Sequence, residues 1–104
     1  MNNGMVEIFI ELWKEACKNG IDFVPRSKNR EFLSMYKLTK NQAIEALRNL
    51  SAEHYCSGPE KDKDRKGDVW KFKINMHDIK DIYVKVKLYS INGKYYAKCI
   101  SFHK

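Results

Sequence analysis

The feature that most constrains this chain is a pair of alternating segments hinged on Asn92-Gly93. From Ile82 to Tyr89, Ile82, Val84, Val86 and Leu88 point one way and Tyr83, Lys85, Lys87 and Tyr89 the other. Strict period-two alternation is the pattern of a strand with one buried face. Asn-Gly after such a run is a hairpin signal, because both residues tolerate the positive φ that a tight hairpin turn requires. Tyr95 to His103 supplies the returning strand. Val69 to Met76 alternates as well, with Trp70, Phe72, Ile74 and Met76 on one side and Val69, Lys71, Lys73 and Asn75 on the other. The chain therefore needs an antiparallel sheet with one apolar face. Its other face is predicted to be basic and aromatic, carrying Lys71, Lys73, Tyr83, Lys85, Lys87, Tyr89, Tyr95 and His103.

Two hairpin registers compete. A two-residue Asn92-Gly93 turn would put Val84 and Val86 on one face with Cys99 and Ser101, and Lys85 with Ile100. A three-residue loop, Ile91-Asn92-Gly93 with a left-handed Gly93, shifts the pairing by one residue and swaps the faces. Ile82, Val84 and Val86 then join Ile100 and Phe102, while Tyr83, Lys85 and Lys87 join Cys99, Ser101 and His103. The second register buries the apolar set together and is the one expected. It leaves Lys98 on the apolar face, where only an edge position would let its ammonium reach water.

The first half reads as helical. Val6, Phe9, Ile10, Trp13 and Cys17 lie along one helical face, and Asn19-Gly20 ends the helix near Lys18. Ile21 to Val24 is a short extended piece stopped by Pro25, with the character of an edge strand. A short helix follows, with Ser27 or Asn29 as N-cap and Phe32, Leu33, Met35 and Tyr36 facing inward. Thr39-Lys40-Asn41-Gln42 has the capping-box spacing that opens a further helix, with Ala43, Ile44, Leu47 and Leu50 as its buried stripe. Residues 57–68 form a polar segment expected to be a long loop, and loops of that length in small domains tend to be functional. The fold class is accordingly α+β, a single domain over 1–104, with N-terminal helices on one face of a three- to four-stranded antiparallel sheet.

A chain of 104 residues suits one core. Its net charge of +7 favours a polyanionic partner. No apolar run approaches the roughly 18 residues of a membrane span, so no membrane partner is expected. The start of the chain has no cationic, apolar leader pattern, which favours the cytoplasm. Cys17, Cys56 and Cys99 are odd in number and lack CxxC spacing, which argues against a disulfide framework or a zinc site. Asp62 and Asp64 sit in a lysine-rich segment without convergent ligands, so neither a metal nor another cofactor is expected.

Several stretches, taken in order, carry a family likeness. They are Tyr36-Lys37-Leu38 before the capped helix, Leu50-Ser51-Ala52-Glu53-His54-Tyr55, Ser57-Gly58-Pro59-Glu60 through Asp62-Lys63-Asp64-Arg65, and Val69-Trp70. Ile82-Tyr83-Val84-Lys85-Val86-Lys87 and Cys99-Ile100-Ser101-Phe102-His103 close the series. Over about the last two-thirds of its length the chain resembles the motility quorum-sensing regulator (MqsR-like) toxins, within the RelE-like group of bacterial mRNA endoribonucleases. The resemblance implies a RelE-like fold and a type II toxin that cuts mRNA without a metal. It also implies a cognate antitoxin and the ribosome as partners. The family's strand tyrosine corresponds to Tyr83 and the lysine two residues on to Lys85. His103 stands where the best-known members end the last strand with lysine, and Lys71 where glutamine also occurs. A further family lysine falls near Ser57 and has no counterpart.

Metal-free RNA cleavage needs a base for the 2′-OH, an acid for the departing 5′-oxygen, and positive charge beside the phosphorane. Histidine titrates near neutrality, so His103 is the candidate acid or base. Lys85 and Lys71 are the candidate electrostatic groups, with Tyr83 donating a proton or stacking on a base. Lys73, Lys87, Arg65, Tyr89 and Ser101 are the candidate RNA-binding residues. His54 and His77, in a bend and a turn, are read as incidental. A non-catalytic RNA-binding module and a basic protein-interaction domain are the competing readings, since a Lys/Tyr strand face is commonly just a solvated one.

Overall fold

The computed structural model describes residues 4–104. The protein is α+β, with three helices against a five-stranded sheet. The elements run α1 (Gly4–Cys17), β1 (Ile21–Phe23), α2 (Ser27–Met35), α3 (Lys40–Arg48), a 3-10 turn (Ala52–His54), β2 (Tyr55–Lys61), β3 (Asp68–Met76), β4 (Ile79–Ile91) and β5 (Lys94–His103). The strand order is β1-β5-β4-β3-β2. β1 lies parallel to β5, and every other pairing is antiparallel. The sheet is thus larger than the expected three or four strands, and mixed.

The fifth strand comes from the segment expected to be a loop. Residues 57–61 belong to β2, and only 62–67 remain irregular. β2 pairs despite its polar sequence because it is held at both ends. The Tyr55 ring packs edge-on against Trp70 and Phe72, and Glu60 is ion-paired with Lys71 of β3 at 2.7 Å. Between them Gly58, at φ +114, lets the backbones approach closely: a Cβ there would stand 2.9 Å from the Val69 carbonyl oxygen. Only a residue without a side chain fits that combination.

Trp13 is fully buried and donates its indole N–H to the Leu47 carbonyl at 2.8 Å, tying α1 to α3. Phe9 stacks on Trp70 at 4.5 Å between ring centres, which seats α1 on the sheet. Thr39 and Gln42 form the reciprocal capping box that opens α3. In α2, Phe32 is buried, whereas Met35 and Tyr36 are exposed. Neither Ser27 nor Asn29 caps that helix. Arg26 is its N-cap residue and makes no side-chain cap.

Asn29 has another task. β1 stops pairing at Phe23, yet β5 runs on beyond it. The fully buried Asn29 amide fills the gap, donating to the carbonyls of Val24 and Ile100 and accepting from the Phe102 N–H at 2.9–3.0 Å. One side chain thus does for β5 what a neighbouring strand would do. A buried backbone group left without such a partner is costly.

Candidate nucleic-acid interface and active site

The β4–β5 hairpin combines both registers. Ile91 pairs with Lys94, so Asn92-Gly93 is a two-residue turn, with φ of +52° and +80°. The expected three-residue loop is not formed. The one-residue shift occurs further along instead, as a bulge between the Lys85–Ser101 and Val86–Cys99 pairs that takes in Ile100. Bulges re-aim side chains without ending a strand. Beyond the bulge, Tyr83, Lys85, Ser101 and His103 share one face, as expected, but the three-residue loop would set His103 opposite Asp81, whereas Tyr83 faces His103 and Lys85 faces Ser101; Val84 and Phe102 face the core.

Before the bulge, several expected placements change. Cys99 is buried in the core opposite Val86 rather than beside the lysines. Lys98 pairs with Lys87 on the uncovered face, so it does not lie on the apolar side. Tyr96, not Tyr95, meets Tyr89, and their rings stack at 5.5 Å. Tyr95 turns toward α1 and lines a cleft with Leu12 and Ala16. Alternation alone could not reveal these changes, because a bulge has no hydrophobic signature of its own. The misplaced Lys98 was its one trace in the sequence.

At the far end the uncovered face holds the candidate residues Tyr83, Lys85, Lys71 and His103. The Tyr83 and His103 rings lie 5.6 Å apart between centres. Lys85 is the neighbour of Lys71 on β3, and Tyr83 of Lys73. His103 Nδ1 lies 2.8 Å from the Lys104 main-chain oxygen. The Glu60 carboxylate hydrogen-bonds the Lys71 ammonium and raises its pKa, and the same bond lowers that of Glu60. Lys71 is therefore a fixed positive charge, not a base. Arg26 reaches over from the start of α2 and donates to Ser101 Oγ at 3.1 Å.

Nearer the turn the same face is roofed. Segment 62–67 folds across it, and Lys87 is only 4% exposed. The Lys87 ammonium holds Asp62 Oδ2 at 2.8 Å and the Lys66 carbonyl at 2.7 Å. Lys87, expected to contact RNA, is instead the fastening of this roof. Val69 is buried beneath it, apart from the main core. Arg65, carried on the roof, lines a cleft of about 390 Å³ with Arg26, Lys85 and Lys98. Arg26 sits in a Pro-Arg-Ser run that carries no site signal, and alternation alone puts Lys98 on the apolar face rather than here.

Among the described residues, no group of three or more His, Cys, Asp or Glu side chains is placed to hold a metal ion. Cys17 and Cys99 are buried and Cys56 is exposed. Burial pushes the Cys17 thiol up to about 11 and that of Cys99 higher still, which leaves both protonated and unreactive at neutral pH. His54 caps the 3-10 turn, its Nδ1 accepting from the Ser51 N–H. No described helix is long and apolar enough to cross a membrane. Comparison with protein-family models, curated proteins and solved structures returns no match for this chain.

Proposed function

We propose that this protein is a metal-independent endoribonuclease of the RelE-like, MqsR-like kind. In this reading it is the cytoplasmic toxin of a toxin–antitoxin pair and acts on mRNA, with the ribosome as a further partner. The observation that carries the reading is the shared emergence of Tyr83, Lys85 and His103 on adjacent rungs of an uncovered sheet face, flanked by Lys71 and Lys73. A ring nitrogen, a phenol and an ammonium on one face are the groups such a step would draw on.

The step requires no added reactant. His103 removes the 2′-OH proton, the 2′-oxygen bonds to phosphorus, and the bond from phosphorus to the 5′-oxygen breaks. The products are a 2′,3′-cyclic phosphate and a 5′-hydroxyl, the latter protonated by the Tyr83 phenol or by the histidinium. Lys85 and Lys71 stabilise the charge that grows on the equatorial oxygens. The antitoxin is expected to cover this basic face.

The test is cleavage of an RNA oligonucleotide in EDTA, alone and with translating ribosomes, beside the same oligonucleotide made 2′-deoxy. Scission of the RNA alone is expected, reduced by about 10²-fold or more in Lys85→Ala and in His103→Ala. If the RNA stays intact in both settings, the nuclease reading fails. Salt-sensitive binding without scission would identify a non-catalytic RNA-binding module.

A further inference from the structure

The cleft between the 62–67 roof and the sheet has an unusual charge economy. Arg26, Arg65, Lys85 and Lys98 converge on its walls. None of the four is in an ion pair among the described residues, whose ion pairs join Lys18 to Glu15, Lys71 to Glu60 and Lys87 to Asp62. Two nearby acids, Glu60 and Asp62, are engaged by Lys71 and Lys87. Asp64 on the wall, and Asp22 across from Lys98 in an adjoining cleft that Arg65 also lines, leave two carboxylates against four cations. Like charges held together in excess of their counter-charges repel, and an anion entering between them relieves that repulsion.

We propose that this cleft binds a phosphodiester group of a single RNA strand, one nucleotide or more away from the phosphate that is cut. This rests on the nuclease reading and deepens it. Two arginines and two lysines suit a phosphate, since guanidinium groups can hold its oxygens two at a time. Arg26 is partly pre-positioned by its bond to Ser101 Oγ. Val24 and Ile100 add apolar wall against which a sugar or base can rest. Lys98 faces Lys87, four residues along β4 from Tyr83, about 13 Å at strand rise. That is too far for Lys98 to serve the phosphate beside Tyr83, but suitable for a neighbouring one. Lys85 borders both places and sets the direction in which the strand would run. The bulge at Ile100 makes the site, because it lets Lys98 and Ser101 face the same side of β5.

The experiment separates binding from cutting. A fluorescently labelled, single-stranded 2′-deoxy oligonucleotide, which cannot be cleaved by this route, is titrated with protein across a salt series. Lys98→Gln combined with Arg65→Gln is expected to weaken binding about tenfold and to reduce the salt slope by about 0.7, one phosphate contact. Lys14→Gln, on exposed α1, is expected to change neither, and circular dichroism checks that both variants are folded. Inorganic phosphate at millimolar concentration is expected not to displace the oligonucleotide. An unchanged affinity and slope in the double variant overturns the inference, whether or not the protein cuts RNA. Displacement by inorganic phosphate overturns it as well, by assigning the cleft to the free ion. Weakened binding in a protein that never cuts RNA leaves the cleft assignment standing and removes only the nuclease reading.

Discussion

Lys85 and Lys87 are two residues apart on one strand and face, with opposite fates. Lys87 is buried and fastened to Asp62 and Lys66, while Lys85 stays accessible and unpaired, between Lys71 and Ser101. The difference lies in what crosses above them. Six residues of polar loop roof the face near the turn and stop short of the far end. The two halves of the hairpin are also held by different means. The near half is clamped by an ion pair, and the far half by the buried amide of Asn29 on the opposite edge of β5. An identical sequence pattern, Val-Lys-Val-Lys, thus yields one lysine fastened beneath the loop and one left accessible, and the choice is made by chain remote from both.

The largest effect expected from breaking this comparison is at the far half. Asn29→Ala removes three hydrogen bonds and leaves the Phe102 N–H and Ile100 carbonyl without partners at a buried edge. The expected loss is about 3 kcal/mol of unfolding free energy, read by urea denaturation. Asn29→Asp keeps the acceptor for Phe102 but loses the donors, and should not restore stability. A loss below about 0.5 kcal/mol for Asn29→Ala would show that β5 is held there by packing alone.

A smaller and more local effect is expected at the near half. Lys87→Met keeps the apolar stem but releases Asp62 and the Lys66 carbonyl. The Asp62 amide, which donates to the Gly67 carbonyl at 3.0 Å, reports on the roof. Its hydrogen exchange should quicken by about tenfold, because the loop then opens without breaking an ion pair. Lys85→Met should leave that amide unchanged. Equal exchange rates in the two variants would erase the distinction between the two lysines.

The contrast also marks what the sequence could reveal. Local rules were enough for α1, the Thr39–Gln42 capping box and the alternation of β3 and β4, because each rests on residues adjacent in the chain. They were enough too for Tyr83, Lys85 and His103 sharing one face, but not for the direct pairing of Tyr83 with His103, which the bulge makes. They failed wherever one remote partner decides the outcome. Ser57 to Lys61 looked like loop because its polar residues conceal a strand made by Tyr55, Gly58 and Glu60 against β3. Asn29 looked like a cap because Asn favours caps, whereas its amide is occupied by β5. The Ile100 bulge moved Lys98, Cys99 and Tyr95 to faces opposite those expected. Lys87 looked like its neighbour Lys85 because alternation records a face and not what covers it.

The smallest effect sharpens the comparison by pH. Lys87 donates a hydrogen bond to Asp62, and the Asp64 amide adds a second, which together hold the Asp62 carboxyl at about 2 against an ordinary 3.8. A carboxyl lowered by folding stabilises the folded state fully above its ordinary value, and that contribution is lost as pH falls from there through the folded value. The roof should therefore stay fastened at pH 5–7 and weaken only between about pH 4 and pH 2. The direct reading is the Asp62 carboxyl carbon resonance, followed against pH in the wild-type protein and in Lys87→Met. A midpoint near 2 is expected in the first, moving toward 3.8 in the second without reaching it, because the Asp64 amide bond persists. A midpoint that ignores the substitution would mean that Lys87 does not hold Asp62 in solution, and the near half of the hairpin face would then be as open as the far half.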